Sequence, residues 1–230
     1  MKVGTDGVIL GAWARISGNE KVLDVGTGTG LLALMIAQRS ASAHIDAIEI
    51  DETAALQAKS NVANSPFYDR IKIYHRSFQG HILGGLEKGL EKGTSRGISK
   101  KCDLIICNPP FFSASLKSGS DQRNMARHDD LLPLDSLISG VRNCLSAEGS
   151  LCIILPAQNE TRLNALLEEN EFYINRMLKI YPTPEKEASR YCYEISAIRK
   201  EMETEDLLIE TGKRHHYSQE YRVLTDPFYL

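Results

Sequence analysis

Asn108-Pro109-Pro110-Phe111-Phe112 follows the apolar run Leu104-Ile105-Ile106-Cys107 without a break. Prolines in that position end the preceding strand and stiffen the turn. Such a turn suits an amine that is a poor nucleophile because its lone pair is delocalised into a planar ring. The Asn108 side-chain oxygen and the Pro109 carbonyl can each accept one N–H, which draws the nitrogen toward tetrahedral geometry and aims its lone pair at an electrophile. Phe111 can stack on a base that has left its own stack. No strong general base is required, since the proton can leave after the transfer. Asn108, Pro109 and Phe111 are therefore the candidate catalytic residues, although a strand-ending turn with a core aromatic would read the same way in isolation.

A second constellation supplies the electrophile. Val22 to Gly30 reads as a buried strand running into Gly26-Thr27-Gly28-Thr29-Gly30 and then a helix beginning near Leu31. Glycines allow positive φ and close approach of backbone to a ligand. The spacing is G-x-G-x-G and differs from the G-x-G-x-x-G of dinucleotide-binding turns. Asp24, just before the first glycine, would repel a phosphate and suits an amino-bearing ligand. About 20 residues on, where ribose-binding acids sit in such folds, the second strand ends in Ile48-Glu49-Ile50-Asp51 and so places Glu49. An amino-acid pocket beside a nucleoside pocket matches S-adenosylmethionine. Asp24, Gly26, Gly28, Gly30, Glu49 and Ile50 are accordingly candidate cofactor-binding residues, with Asn108 at the junction of both sites.

These residues need strands to carry them. Short Val/Ile/Leu-rich runs alternate with helical patterns, which predicts an α/β fold with a doubly wound, mostly parallel sheet of seven strands. The expected strands are 21–25, 44–50, 71–76, 102–107, 150–155, 173–180 and 191–199. Helices are expected over 31–38, 53–63, 134–145 and 160–169, with a short apolar helix before the first strand. The α/β domain is expected to span 1–200, and 201–230 to form a C-terminal extension with no clear sheet partner. Within the extension, His215, His216 and Tyr217 read as a surface tail.

The 230 residues, 42% hydrophobic and 25% charged with a formal charge of -3, describe an ordinary globular chain and argue against disorder or a disulfide scaffold. No apolar run approaches the roughly 18–20 residues of a membrane span, and no signal peptide is evident. The five cysteines form no C-x-x-C pair and read as reduced core residues of a cytoplasmic protein without a metal site. Mild net acidity means that a nucleic-acid partner would have to meet local positive charge. Two loops offer it. Gly84 to Lys101 carries a tandem Gly-Leu-Glu-Lys and reads as a mobile insertion of net charge about +3. Ser113 to Asp129 follows the Asn108 turn and holds Lys117, Arg123 and Arg127, the candidate nucleic-acid contacts.

The chain also resembles a known family over essentially its whole length. Met1-Lys-Val-Gly-Thr-Asp-Gly-Val-Ile-Leu-Gly-Ala-Trp13, the glycine turn, Asn108 to Phe112, Arg127-His128 and the terminal Asp226-Pro-Phe-Tyr-Leu230 are similar to the bacterial tRNA1(Val) adenine-37 N6-methyltransferases, within the class I S-adenosylmethionine-dependent, Rossmann-like methyltransferases. The resemblance implies methyl transfer to an adenosine N6 next to the anticodon, with tRNA as partner. It also implies that Thr5 and Asp6, in the opening block, lie against the methionine part of the cofactor; as plain structure they would cap a helix.

Three positions depart from the family pattern. Relatives usually carry a further stretch before the opening block. Ser77-Phe78 stands where an acidic residue often reads the cofactor adenine, so the pocket is expected to use stacking and backbone contacts there. Phe111 and Phe112 replace a commoner pair of tyrosines, which keeps stacking and removes two hydroxyls. Alternatives at this point are another N-methyl acceptor (a release-factor glutamine, or an rRNA or DNA adenine), a nicotinamide dehydrogenase, and a non-catalytic RNA-binding module.

Overall fold

The computed structural model describes residues 4–18, 20–84, 101–110 and 132–229. The elements run α1 (Thr5–Trp13), β1 (Lys21–Val25), α2 (Leu31–Arg39), β2 (His44–Glu49), α3 (Glu52–Ala63), β3 (Ile71–His75), α4 (Phe78–Gly84), β4 (Cys102–Cys107), α5 (Leu134–Cys144), β5 (Leu145–Pro156), α6 (Glu160–Glu169), β6 (Tyr173–Tyr181), β7 (Arg190–Ser196), β8 (Glu203–Leu208) and α7 (Gln219–Thr225). The sheet order is β3-β2-β1-β4-β5-β7-β6-β8. β7 is antiparallel to both neighbours, and the other pairings are parallel. The order reverses at β1, so the crevice beyond the carboxyl ends of β1 and β4 is the expected ligand site.

The central strands are apolar because both faces are covered. Val22, Ile45, Leu104, Ile106, Cys152 and Ile154 face one core with α1 and α2, whereas Leu23, Ile105, Leu151, Ile153 and Tyr193 face the other with α5 and α6. All five cysteines are buried and unpaired, as their apolar settings predict. Among the described residues no helix is long and apolar enough to cross a membrane.

Helix ends are held by arginines from neighbouring elements. Arg39 donates to the Gly11 and Ala14 carbonyls at the end of α1 (2.7 and 2.8 Å), and Arg70 donates to the Ala37 and Ser40 carbonyls at the end of α2 and to that of Ala43 just before β2. Both satisfy carbonyls that an α-helix leaves without partners. Lys101, expected to belong to a flexible arm, does the same for α5: its ammonium donates to the Arg142 and Asn143 carbonyls (3.3 and 3.0 Å). The rest of that expected insertion, 85–100, lies outside the described residues.

The carboxyl-terminal stretch corrects the sequence reading. Glu203–Leu208 is an eighth strand, paired in parallel with β6. Its outer position explains why it escaped the pattern: only Leu207 is buried, and Glu203, Glu205 and Asp206 face solvent, charges that protect an edge from further pairing. α7 then returns across the molecule to α1. Leu224 and Phe228 pack on Val8, Ala12 and Met35, Tyr221 is buried, and the Gln38 amide donates to the Pro227 carbonyl at 3.0 Å. Arg176 on β6 ties the same region from below. Its guanidinium lies 4.2 Å from the Trp13 ring centroid and donates to Glu205 (2.5 Å) and to the Trp13 carbonyl (3.1 Å).

Tyr221→Ala should therefore destabilise the whole domain by about 3 kcal/mol, the scale of large-to-Ala core changes. Urea denaturation followed by the fluorescence of Trp13, the single tryptophan, should show one transition at lower midpoint. A separate early transition of the last residues with an unchanged Trp13 midpoint would contradict this packing.

Candidate active site

β1 and β4 lie side by side with Val25 opposite Cys107. The next residues, Gly26 and Asn108, therefore emerge together at the carboxyl edge, about 4.8 Å apart by strand spacing. The glycine turn and the Asn-Pro-Pro turn, read separately in sequence, open onto one crevice.

The glycine turn has little choice of conformation. Gly26 and Gly28 have φ of 70° and 59°, and Gly30, at the N-cap of α2, has 88°. These values favour glycine. Gly26 is exposed, and a Cβ there would meet nothing within 4 Å, so the backbone is open to a ligand. Gly30 is buried against Ala58 of α3, so it serves packing as well as the turn.

Asp24 holds the turn from beneath. It is wholly buried, and its Oδ2 accepts a short hydrogen bond from the Thr27 hydroxyl and another from the Ala33 N–H (3.1 Å), while Oδ1 has no partner. The carboxylate thus pins the turn to the first turn of α2. Burial, with Glu49 adding repulsion, raises its pKa to about 7 against its two hydrogen bonds.

Glu49 stands at the end of β2. Oε2 accepts from the Gly28 N–H (2.8 Å) and Oε1 from the Asp51 N–H (2.9 Å). Each carboxylate oxygen can accept about two hydrogen bonds, so capacity remains for two hydroxyls. Ile50 follows with an exposed side chain, and its carbonyl lies 3.0 Å from His75 Nε2. Asp51 caps α3, its side chain accepting from Ala54 N–H.

Ser77 and Phe78 divide. The Ser77 hydroxyl accepts from the Gly80 N–H at the start of α4. Phe78, expected to stack in the adenine pocket, is buried in the core instead; it packs so closely on α5 that a Cβ at Gly140 would come within 2.6 Å of its ring. The apolar residue available beside Glu49 is Ile50.

α1 closes the crevice from the opposite side. Its N-cap is Gly4 without a side-chain bond, so neither Thr5 nor Asp6 is the cap; Thr5 is exposed. Asp6 accepts from Arg190 Nε on β7 at 3.0 Å. Arg190 was not legible as a site residue, since 184 positions separate the partners and nothing in its own neighbourhood marks it. Gly7 is the next contact. A Cβ there would lie 3.1 Å from Leu31 Cδ2 and 3.5 Å from Asn108 Nδ2. Glycine lets the helix touch both the start of α2 and the Asn108 side chain. Asn108 is half-buried and Pro109 buried. Phe111, Lys117, Arg123 and Arg127 lie outside the described residues.

The comparisons with known proteins agree with this geometry. Residues 14–177 match the methyltransferase small domain. The chain is 42% identical, over its full length and 93% of the relative, to the tRNA1(Val) (adenine(37)-N6)-methyltransferase of Flavobacterium psychrophilum. It is likewise 42% identical to the enzyme of that name from Bacteroides thetaiotaomicron, covering 91% of it. The chain belongs to the tRNA1(Val) (adenine(37)-N6)-methyltransferase family. The fold is shared more widely. A predicted O-methyltransferase from Agrobacterium tumefaciens superposes with a TM-score of 0.71 at 17% identity, covering 96% of both chains. A ribosomal protein L11 methylase from Lactobacillus delbrueckii subsp. bulgaricus gives 0.55 at 18% identity, covering 83% of this chain and 76% of that one. Family membership makes the protein an S-adenosylmethionine-dependent methyltransferase and removes the dehydrogenase alternative.

The buried Asp24 carboxyl has a measurable signature. A native pKa of about 7 against an ordinary 3.8 means that between those values the folded state holds a proton the unfolded state has released. Stability then falls as pH rises through that window and levels off above it. Asp24→Asn keeps an oxygen for Thr27 and Ala33 and removes the charge. It should flatten the decline, leaving stability at pH 4 unchanged and raising it at pH 8 by up to about 4 kcal/mol. Thermal melts across pH 4–8 check this, and parallel wild-type and variant curves would contradict it.

Proposed function

We propose that the protein transfers a methyl group from S-adenosylmethionine to the exocyclic N6 of adenosine 37 in tRNA1(Val), acting in the cytoplasm. The observation that carries the reading is the register of β1 and β4, by which Gly26 and Asn108 open onto the same crevice. The residues of that crevice fit the donor. The open backbone at Gly26 would take the amino-acid end, the spare acceptor capacity of Glu49 the ribose hydroxyls, and Ile50 one face of the adenine, with Thr5 and the Ser77 region at the margins. When bound, S-adenosylmethionine supplies an electrophilic methyl carbon with a neutral thioether as leaving group.

The protein's own part is to orient the acceptor. The Asn108 oxygen and the Pro109 carbonyl accept the two N–H groups of N6, so the nitrogen lone pair is turned out of conjugation with the ring. Gly7 keeps α1 close beside the Asn108 amide. Asp6 and Arg190 hold the start of α1 in place, which makes Arg190 a positioning residue. Phe111 stacks on the base, and Lys117, Arg123 and Arg127 contact backbone phosphates. An anticodon loop presents its bases unpaired, so extruding the target costs less than in a duplex.

Asn108→Ala removes one of the two acceptors and should lower kcat at least 100-fold, the scale of losing one preorganised hydrogen-bonding group. Affinity for tRNA1(Val) should stay within about twofold, because phosphate contacts dominate it. Single-turnover methyl transfer and filter binding separate the two quantities. A variant that methylates at the wild-type rate would overturn the assignment of Asn108.

A further inference from the structure

β8 is parallel to β6, and both run in the direction of β4 and β5. The segment leaving β8 therefore emerges on the same edge of the sheet as Asn108. It is a compact hairpin. Glu210 bridges Tyr217 in antiparallel fashion, the Thr211 N–H donates to the His216 carbonyl (2.8 Å), and the His216 N–H donates to the Lys213 carbonyl (3.0 Å). Its base is fastened from both sides. The Ile209 and Glu210 N–H groups donate to the Tyr181 and Pro182 carbonyls of the β6–β7 connection, and the Ser218 hydroxyl donates to the Leu208 carbonyl. Tyr217 packs its ring 5.1 Å from that of the buried Tyr221.

The tip carries Lys213, Arg214, His215 and His216 in succession, all exposed. Two backbone features turn it outward: Gly212 at φ 106°, and His215 at φ 64°, a conformation uncommon for a residue with a Cβ. The nearby carboxylates are used or set aside. Glu210 accepts from the His215 N–H (2.9 Å), and Glu185 faces the Gly212 backbone. Among the described residues neither Lys213 nor Arg214 is in an ion pair. In a chain of formal charge -3, this is positive charge placed on a rigid support at the catalytic edge. β8 stands four strand spacings from β4, about 19 Å at roughly 4.8 Å each.

We propose that this hairpin is a nucleic-acid-binding site, in which Lys213 and Arg214 contact the sugar–phosphate backbone of the tRNA stem while the target base reaches Asn108. The reading gives the expected surface tail a role, and it rests on the tRNA activity proposed above. Backbone contacts fix register and orientation without reading sequence, so the hairpin would set how the anticodon arm lies across the sheet edge.

The test is the double variant Lys213→Glu/Arg214→Glu in the full-length protein, with tRNA1(Val) transcript and S-adenosylmethionine as probes. Affinity for tRNA should fall at least tenfold. The slope of log K against log salt should shrink by about 1.5, as for two lost phosphate contacts. KM for tRNA should rise while kcat at saturation, cofactor affinity and melting temperature stay at wild-type values, and Lys213→Arg should bind normally. Unchanged tRNA affinity and salt slope in a double variant whose wild-type parent binds and methylates tRNA would overturn the hairpin alone. A wild-type protein that neither binds nor methylates tRNA would overturn both readings.

Discussion

The turn after β1 is gripped between two carboxylates, and the rest of the site follows from that grip. Asp24, buried beneath it, accepts from Thr27 and Ala33, which locks the turn onto α2. Glu49, beside it, accepts from Gly28 and Asp51, which locks the turn onto β2 and the start of α3. Neither residue has a cationic partner among these bonds; backbone N–H groups and one hydroxyl do the holding. The arrangement costs stability, as the raised pKa of Asp24 records. In return it keeps three left-handed glycines in one conformation and leaves the Gly26 backbone open.

The other side of the crevice depends on assembly across the whole chain. α1 lies against Asn108 and packs tightly on Leu31 at Gly7, where a Cβ would crowd, and it stays there because elements distant in sequence hold it. Arg190 holds Asp6, Arg39 holds its carboxyl end, and Leu224 and Phe228 press on its outer face. The last residues of the chain therefore bear on the first helix, and through it on the acceptor side chain. An extension in sequence is part of the core in space.

What was legible in the residues follows physical lines. Strands buried on both faces announce themselves as unbroken Val/Ile/Leu runs, and β1, β2, β4 and β6 begin where those runs begin. β8 gave no such signal, because an outer strand with one buried leucine has no apolar run to read. The glycines, Glu49 and the Asn-Pro-Pro turn were identifiable from type and spacing. The direction of a side chain was not. Asp24 and Phe78 have the right chemistry for a ligand yet face the interior, and only the neighbouring elements decide that. Arg190 and Gly7 act through partners that no local pattern reveals.

The central claim is that this crevice turns the N6 amine of adenosine 37 toward an electrophilic methyl carbon. Its most direct test is transfer of labelled methyl from S-adenosylmethionine to unmodified tRNA1(Val) carrying either adenosine or guanosine at position 37, followed by digestion and identification of the labelled nucleoside. The account predicts N6-methyladenosine from the first transcript and no label in the second. A different labelled nucleoside, or equal labelling of both transcripts, would contradict it.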